Sequence, residues 1–237
     1  MYNNKYGKVL TVFLIIAIIA IIALIGFAIA SKVKDDNMKK EADSAIEEFK
    51  RDHNITDDDN NDDNNNDDDN NDIPDIIPAT PIPNPYENNN NNSNSSSSSS
   101  KKNTYKGFVM TGYISIPKNK VEVPILEKAT LNSLNAATGI LYPVDAKLNE
   151  PGNVVIAGHN YRNNLVFSKN KNLKEGDKIY ITDESGRKLM YTVYKNFEAS
   201  PEDTSFYERD TGGVPEITLT TCTQDSSKRT IIFAKAN

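Results

Sequence analysis

Three side chains in this 237-residue chain have the types and neighbourhoods for covalent chemistry: Cys222, His159 and Arg229. Cys222 closes the alternating run Glu216-Ile217-Thr218-Leu219-Thr220-Thr221, at the point where the sequence turns polar. A thiol at a strand edge is within reach of a substrate, whereas a core thiol sits mid-strand among apolar neighbours. His159 leaves the apolar run Val154-Val155-Ile156-Ala157-Gly158 in the same way, and Arg229 opens the final apolar run after a polar loop, Thr223–Lys228, short enough to return its guanidinium toward Cys222. A free thiol with a pKa of about 8.5 is only a few per cent thiolate at neutral pH, but the thiolate is a strong nucleophile. Imidazole can protonate a leaving amine, and a permanently charged guanidinium can hold a carbonyl or a developing oxyanion. The bland alternative is an inert Cys, a structural His and a surface Arg; residue type and edge position alone do not separate the two.

The elements that must position these groups are short strands broken by turn residues: Gly112–Ile116, Val121–Ile125, Asn153–Gly158, Lys178–Thr182, Lys188–Phe197, Glu216–Cys222 and Thr230–Lys235. Asp183-Glu184-Ser185-Gly186 supplies a hairpin turn between the fourth and fifth of them. Helical signal is confined to short stretches near Leu131–Ala137 and Asn163–Phe167. The pattern predicts an all-β domain over 104–237, a closed barrel or sandwich.

Composition excludes several classes. A lone Cys forms no internal disulfide and no Cys-cluster metal site, and only His53 and His159 are available for a histidine centre, so no metal and no cofactor is expected. The net charge of −6 is local: residues 52–75 carry 11 Asp and no Lys or Arg, while 104–237 carries 17 basic and 15 acidic side chains. A nearly neutral folding domain has no concentrated basic face, and nucleic acid is not an expected partner.

The chain ahead of that domain divides into four segments. Residues 1–8 are a short flank, and Val9–Ala30 carries no charge over 22 residues, about 33 Å of helix against a hydrocarbon core of about 30 Å. It reads as a single membrane span; a cleavable signal peptide ending at Ala28-Ile29-Ala30 competes, but the apolar run is longer than such peptides need. Residues 31–51 read as a solvated juxtamembrane stalk, with Ala42, Ala45, Ile46 and Phe49 at helical spacing. Residues 52–103 are rich in Asp, Asn, Pro and Ser and too poor in apolar surface to offset the cost of ordering. They are expected to be a disordered tether, spanning roughly 40 Å. An EF-hand reading of the Asp tract fails, since Asp62 and Asp68 stand where the loop needs Gly and Glu. The bases Lys32, Lys34, Lys39 and Lys40 after the span outnumber Lys5 and Lys8 before it, which by counting alone would leave the C-terminal side in the cytoplasm.

Thr218-Leu219-Thr220-Thr221-Cys222 followed by Arg229 resembles the Thr-Leu-x-Thr-Cys…Arg signature of sortases. Val155-Ile156-Ala157-Gly158-His159-Asn160 is similar to their catalytic-His strand. Gly112-Tyr113-Ile114-Ser115-Ile116-Pro117 and Leu173-Lys174-Glu175-Gly176-Asp177-Lys178-Ile179-Tyr180 are similar to two further recurring segments. The resemblance covers residues 107–236 in order and is most like class D, with classes B and A behind it. It implies a closed eight-stranded barrel and a membrane-anchored cysteine transpeptidase whose domain faces outward, against the count of bases. Cys222 would attack the Thr-Gly bond of a Leu-Pro-x-Thr-Gly-like sorting signal on a surface protein. His159 would serve as general acid and base, and Arg229 would hold substrate or oxyanion. An amine of a cell-wall precursor would take the acyl group. The resemblance also draws Thr220, Thr221 and Asn160 into substrate binding, and places recognition on the segment Phe197–Pro215, with Glu198, Phe206 and Tyr207 as candidates. The competing functions are a non-catalytic or degenerate surface module and another Cys–His cell-wall peptidase; Thr221 before Cys222 departs from the Ser-x-Gly-Cys-x-Arg context of L,D-transpeptidases.

Overall fold

The computed structural model describes residues 5–55, 102–161 and 165–237, with side chains from Leu10 onward. One long helix, α1 (Lys5–Asp52), precedes nine strands: β1 (Thr104–Tyr105), β2 (Phe108–Ile116), β3 (Val121–Leu126), β4 (Thr138–Tyr142), β5 (Gly152–Ala157), β6 (Lys178–Asp183), β7 (Lys188–Ala199), β8 (Pro215–Cys222) and β9 (Arg229–Ala236). A one-turn helix, α2 (Leu131–Leu134), sits between β3 and β4. Its N-terminus is closed by Thr130, whose side chain accepts from the Ser133 amide while Ser133 accepts from the Thr130 amide.

The sheet runs β1-β2-β3-β4-β5-β8-β9-β7-β6, and β2 also pairs with β6, so β2 to β9 close on themselves as an eight-stranded barrel. β5 and β8 run parallel; β8 and β9, and β9 and β7, run antiparallel. The two-residue alternation of each strand decides what goes inside. Ile114 and Ile116 of β2, Val154 and Ile156 of β5, and Ile217 and Leu219 of β8 fill the interior.

Residues of opposite parity face outward, and two separate covers keep them from water. α1 covers the first patch. Ala42, Ile46 and Phe49 recur at helical spacing and are 6%, 2% and 1% exposed, packed with Tyr105, Met110, Tyr113 and Leu126. The Phe49 ring meets Tyr113 edge-on at 6.0 Å, and Lys106 pairs with Glu41 at 2.7 Å. Gly186 in the β6–β7 turn lies under the end of this helix, near Ile55 and His53. Residues 31–41 are mostly exposed, whereas the face made by Ala42, Ile46 and Phe49 is packed on the barrel; burying an aromatic and an isoleucine stabilises by about 1.5–3 kcal/mol each. The expectation of a tether over 52–103 falls almost wholly on residues that the structure does not describe. Ile55 and Lys102 both belong to the compact unit of helix and barrel, and residues 56–101 lie outside the described residues.

The segment 200–214 between β7 and β8 covers the second patch, seating Phe206 against Val155, Ile231 and Phe233. Within α1 the stretch Leu10–Ile29 is exposed, apolar and long enough to cross a membrane. The helix expected near Leu131–Ala137 is only the four residues of α2, because Thr138 already enters β4. Residues 162–164 lie outside the described residues, and Leu165–Phe167 form no helix.

Candidate active site

β8 and β9 are joined by Thr223–Lys228, and their register ends on the pair Cys222–Arg229. Residues directly opposite in an antiparallel pair point to the same face, with Cβ atoms about 4.5–5.5 Å apart. That face is the outer one. Thr220 pairs with Ile231 and Thr218 with Phe233, both outside the barrel, whereas Ile217 and Leu219 point inward. On the other flank of β8, β5 pairs Val155 with Thr218 and Ala157 with Thr220. His159 lies two residues beyond Ala157 as Cys222 lies two beyond Thr220. Cys222 closes β8, Arg229 opens β9, and His159 follows two residues after the same end of β5, so the three lie at one end of three adjacent strands.

Local contacts hold each of them. The Gly158 amide donates to the Thr220 carbonyl at 3.1 Å, and the Phe167 amide donates to the His159 carbonyl at 3.2 Å. The Phe167 ring packs so closely on Gly158 that a Cβ there would lie 2.6 Å from it, which explains the glycine before His159. The Asn160 side-chain amide donates to the Cys222 carbonyl at 3.0 Å, tying the His segment to the Cys strand. The Tyr161 ring stands 5.2 Å from the imidazole. Cys222, His159 and Arg229 are all half-buried, neither sealed in the core nor free in solvent.

The Cys-to-Arg loop is rigid by its own chemistry. The Asp225 carboxylate accepts from the Thr223 hydroxyl at 2.7 Å and from the Ser227 amide and hydroxyl at 3.1 and 2.8 Å. These bonds lower its pKa to about 2. The loop closes with the Thr223 amide donating to the Lys228 carbonyl at 3.0 Å and the Lys228 amide donating to the Thr223 hydroxyl at 3.1 Å. Arg229 itself donates to the Lys228 carbonyl at 3.4 Å.

Thr220 and Thr221 are both buried but face opposite ways. Thr220 lies in the outer row above Cys222. Thr221 lines a cavity of about 540 Å³ with Asn160, Glu198 and Thr230, and its hydroxyl has no hydrogen-bond partner among the described residues. Glu198 pairs with Lys228 at 3.2 Å and borders this cavity. Phe206 is buried under its own loop, its ring 5.0 Å from that of Tyr207. Burial raises the Tyr207 pKa, and the charge of Arg229 opposes that rise.

Sequence reading missed one arrangement on this face. Arg209, half-buried between the 200–214 segment and the barrel, pairs with Glu216 at 2.6 Å and lies 4.0 Å over the Phe233 ring. Its nearest partner in the chain is seven residues away and Asn153 is 56 away, so no local pattern points to it.

A family profile described as the Sortase domain matches residues 114–237. Sortase A of Bacillus anthracis is 35% identical over 124 residues, 51% of this chain and 57% of that protein. Sortase D of Bacillus subtilis (strain 168) is 28% identical over 134 residues, 53% of this chain and 63% of its own. The match therefore spans less than two thirds of the length of these curated relatives. Among solved structures, a Clostridium perfringens Sortase D5 transpeptidase aligns with a TM-score of 0.49 and 33% identity, covering 54% of this chain and 79% of that one. The matched domain begins inside β2 and takes in the whole Cys–His–Arg row, and the protein belongs to the sortase family.

Proposed function

We propose that the protein is a membrane-anchored cysteine transpeptidase that cleaves a sorting signal of the Leu-Pro-x-Thr-Gly type and passes the acyl part to an amine of a cell-wall precursor. The observation that carries this reading is the shared outer-face row: Cys222 opposite Arg229, with His159 at the end of the parallel neighbour.

In this reading the Cys222 thiolate adds to the carbonyl of the Thr-Gly bond. Arg229, across the strand pair, donates to the oxygen as negative charge develops on it. His159 gives its proton to the departing glycine amine, the C–N bond breaks, and a thioester remains on Cys222. An incoming amine then loses its proton to His159 and attacks the thioester, the C–S bond breaks, and the thiolate is returned beside the reprotonated imidazole. A thioester keeps the acyl group activated and reacts readily with amines, which favours Cys over Ser where transfer must compete with water. Asn160, by holding the Cys222 carbonyl, keeps the two halves of the site in register. Thr220 precedes the nucleophile in the same outer row, along which a bound peptide would pass, while Thr221 lines the cavity on the other side of the strand.

The apolar part of α1 is the membrane anchor in this proposal, with residues 104–237 as the catalytic domain on the outer side. Reconstituted full-length chain should release the C-terminal half of a quenched fluorescent sorting peptide, faster with an amine such as triglycine than without it. Cys222→Ala and His159→Ala should each abolish release. Undiminished release by Cys222→Ala would contradict the proposal.

A further inference from the structure

The segment 200–214 leaves β7 at Ala199, opposite Arg229, and rejoins the barrel at Pro215, opposite Gly152. It therefore crosses the outer face from the Cys222 end to the far end, and forms one wall of whatever space a peptide at Cys222 occupies. It contains no helix or strand, so its position depends on what pins it down.

The pin is a buried polar cluster in an otherwise aromatic patch. One Arg209 nitrogen, Nη1, donates to Glu216 Oε2 at 2.6 Å and to the Tyr194 hydroxyl at 2.5 Å; Tyr194 in turn donates to Glu216 at 2.7 Å. The other, Nη2, donates to Asn153 Oδ1 at 2.8 Å and to the Thr218 hydroxyl at 3.3 Å. Asn153 completes the link from the barrel side: its amide donates to the carbonyls of Phe206 and Tyr207 at 3.2 and 2.9 Å. The guanidinium plane rests on Phe233. The fork thus reads β5, β7, β8 and β9 at once from a single loop residue, a geometry that an ammonium cannot reproduce.

We propose that Arg209 is the positioning residue of the recognition wall: through Glu216, Asn153 and Thr218 it fixes segment 200–214 over the outer face, and so sets the affinity for the sorting peptide without touching the reacting atoms. This rests on the transpeptidase reading above. Arg209 lies at the Thr218–Phe233 level of the row, four register pairs from Cys222–Arg229, so its effect falls on binding and not on bond breaking. A wall that must be ordered at the moment of binding charges that ordering to affinity.

The test uses full-length chain in detergent, comparing wild type with Arg209→Met, Arg209→Lys and the double variant Arg209→Met/Glu216→Met. The expected result for Arg209→Met is faster amide hydrogen exchange confined to 200–214, and a KM for the peptide raised about tenfold with kcat within about threefold. Arg209→Lys should recover part of the KM loss. The double variant removes both buried charges, so melting temperature should recover while KM stays high. Recovery of KM together with melting temperature, or unchanged exchange and KM in a folded Arg209→Met, would overturn the proposal. A wild type that acylates with no peptide contradicts the reaction itself, while exchange in 200–214 still decides whether Arg209 holds the loop.

Discussion

Cys222 and Arg229 are the last register pair of β8 and β9, facing each other on the outer surface of the barrel with a six-residue loop between them. The loop is braced by the hydrogen bonds of Asp225, so the backbones of Cys222 and Arg229 are held opposite each other before any substrate arrives. Preorganised charge of this kind acts where charge develops. Arg229→Ala should lower kcat/KM for the sorting peptide by about 10²- to 10³-fold, with Cys222 still open to alkylation by iodoacetamide. Arg229→Lys should fall between, having lost the planar fork. Equal activity in all three would remove Arg229 from the reaction.

Gly158 controls the placement of His159. A methyl at this position meets the Phe167 ring at 2.6 Å, and Phe167 also bonds the His159 carbonyl. Gly158→Ala is expected to cost about 1–3 kcal/mol of stability by overpacking and to depress activity more than that loss explains. Gly158→Ala combined with Phe167→Leu should recover stability ahead of activity, as read by thermal unfolding and peptide cleavage on the same samples.

The docked part of α1 predicts that the barrel does not hang from residues 56–101. With a protease site inserted in that segment and cut in membranes, the barrel should remain with the membrane fraction through Ala42, Ile46 and Phe49. Phe49→Ala should cost about 3 kcal/mol or more and release the cut barrel to the supernatant. Release of the cut barrel that keeps Phe49, immediately after cleavage, would contradict the docking.

Asp183 makes stability depend on acid pH. Burial alone would raise its carboxyl, but hydrogen bonds from Ser185, Asn149 and Arg187 outweigh this and hold it below 3.8. A carboxyl depressed in the folded state contributes stability that is fully present above its unfolded pKa and is lost as pH falls through the folded one. Asp183→Asn should therefore destabilise by about 2 kcal/mol at pH 7 and flatten the decline of melting temperature below pH 4. A decline as steep as that of the wild type would assign the acid sensitivity to other groups.

Seven strands were legible because each is an alternating or apolar run bounded by turn residues. β4, Thr138–Tyr142, escaped because a glycine and two turns crowd a five-residue run, and β1 is two residues long. The pairing of Cys222 with Arg229 was legible because the two border one short loop at the ends of neighbouring strands, and His159 follows two residues after the end of the strand beside them. The amphipathic face of residues 42–49 was visible, but not what covers it, since Tyr113 and Leu126 are more than 60 residues downstream. The Arg209 cluster gave no signal at all, its partners being drawn from four strands.

The central claim is that Cys222 carries the acyl group. Intact-mass spectrometry of the full-length chain, mixed with a panel of Leu-Pro-x-Thr-Gly-like peptides, tests it directly. The account predicts an adduct equal to the peptide through its Thr, located on Cys222, absent from Cys222→Ala and discharged by an added amine. A folded chain whose Cys222 alkylates freely, yet which cleaves the peptides without ever carrying such an adduct, would contradict it.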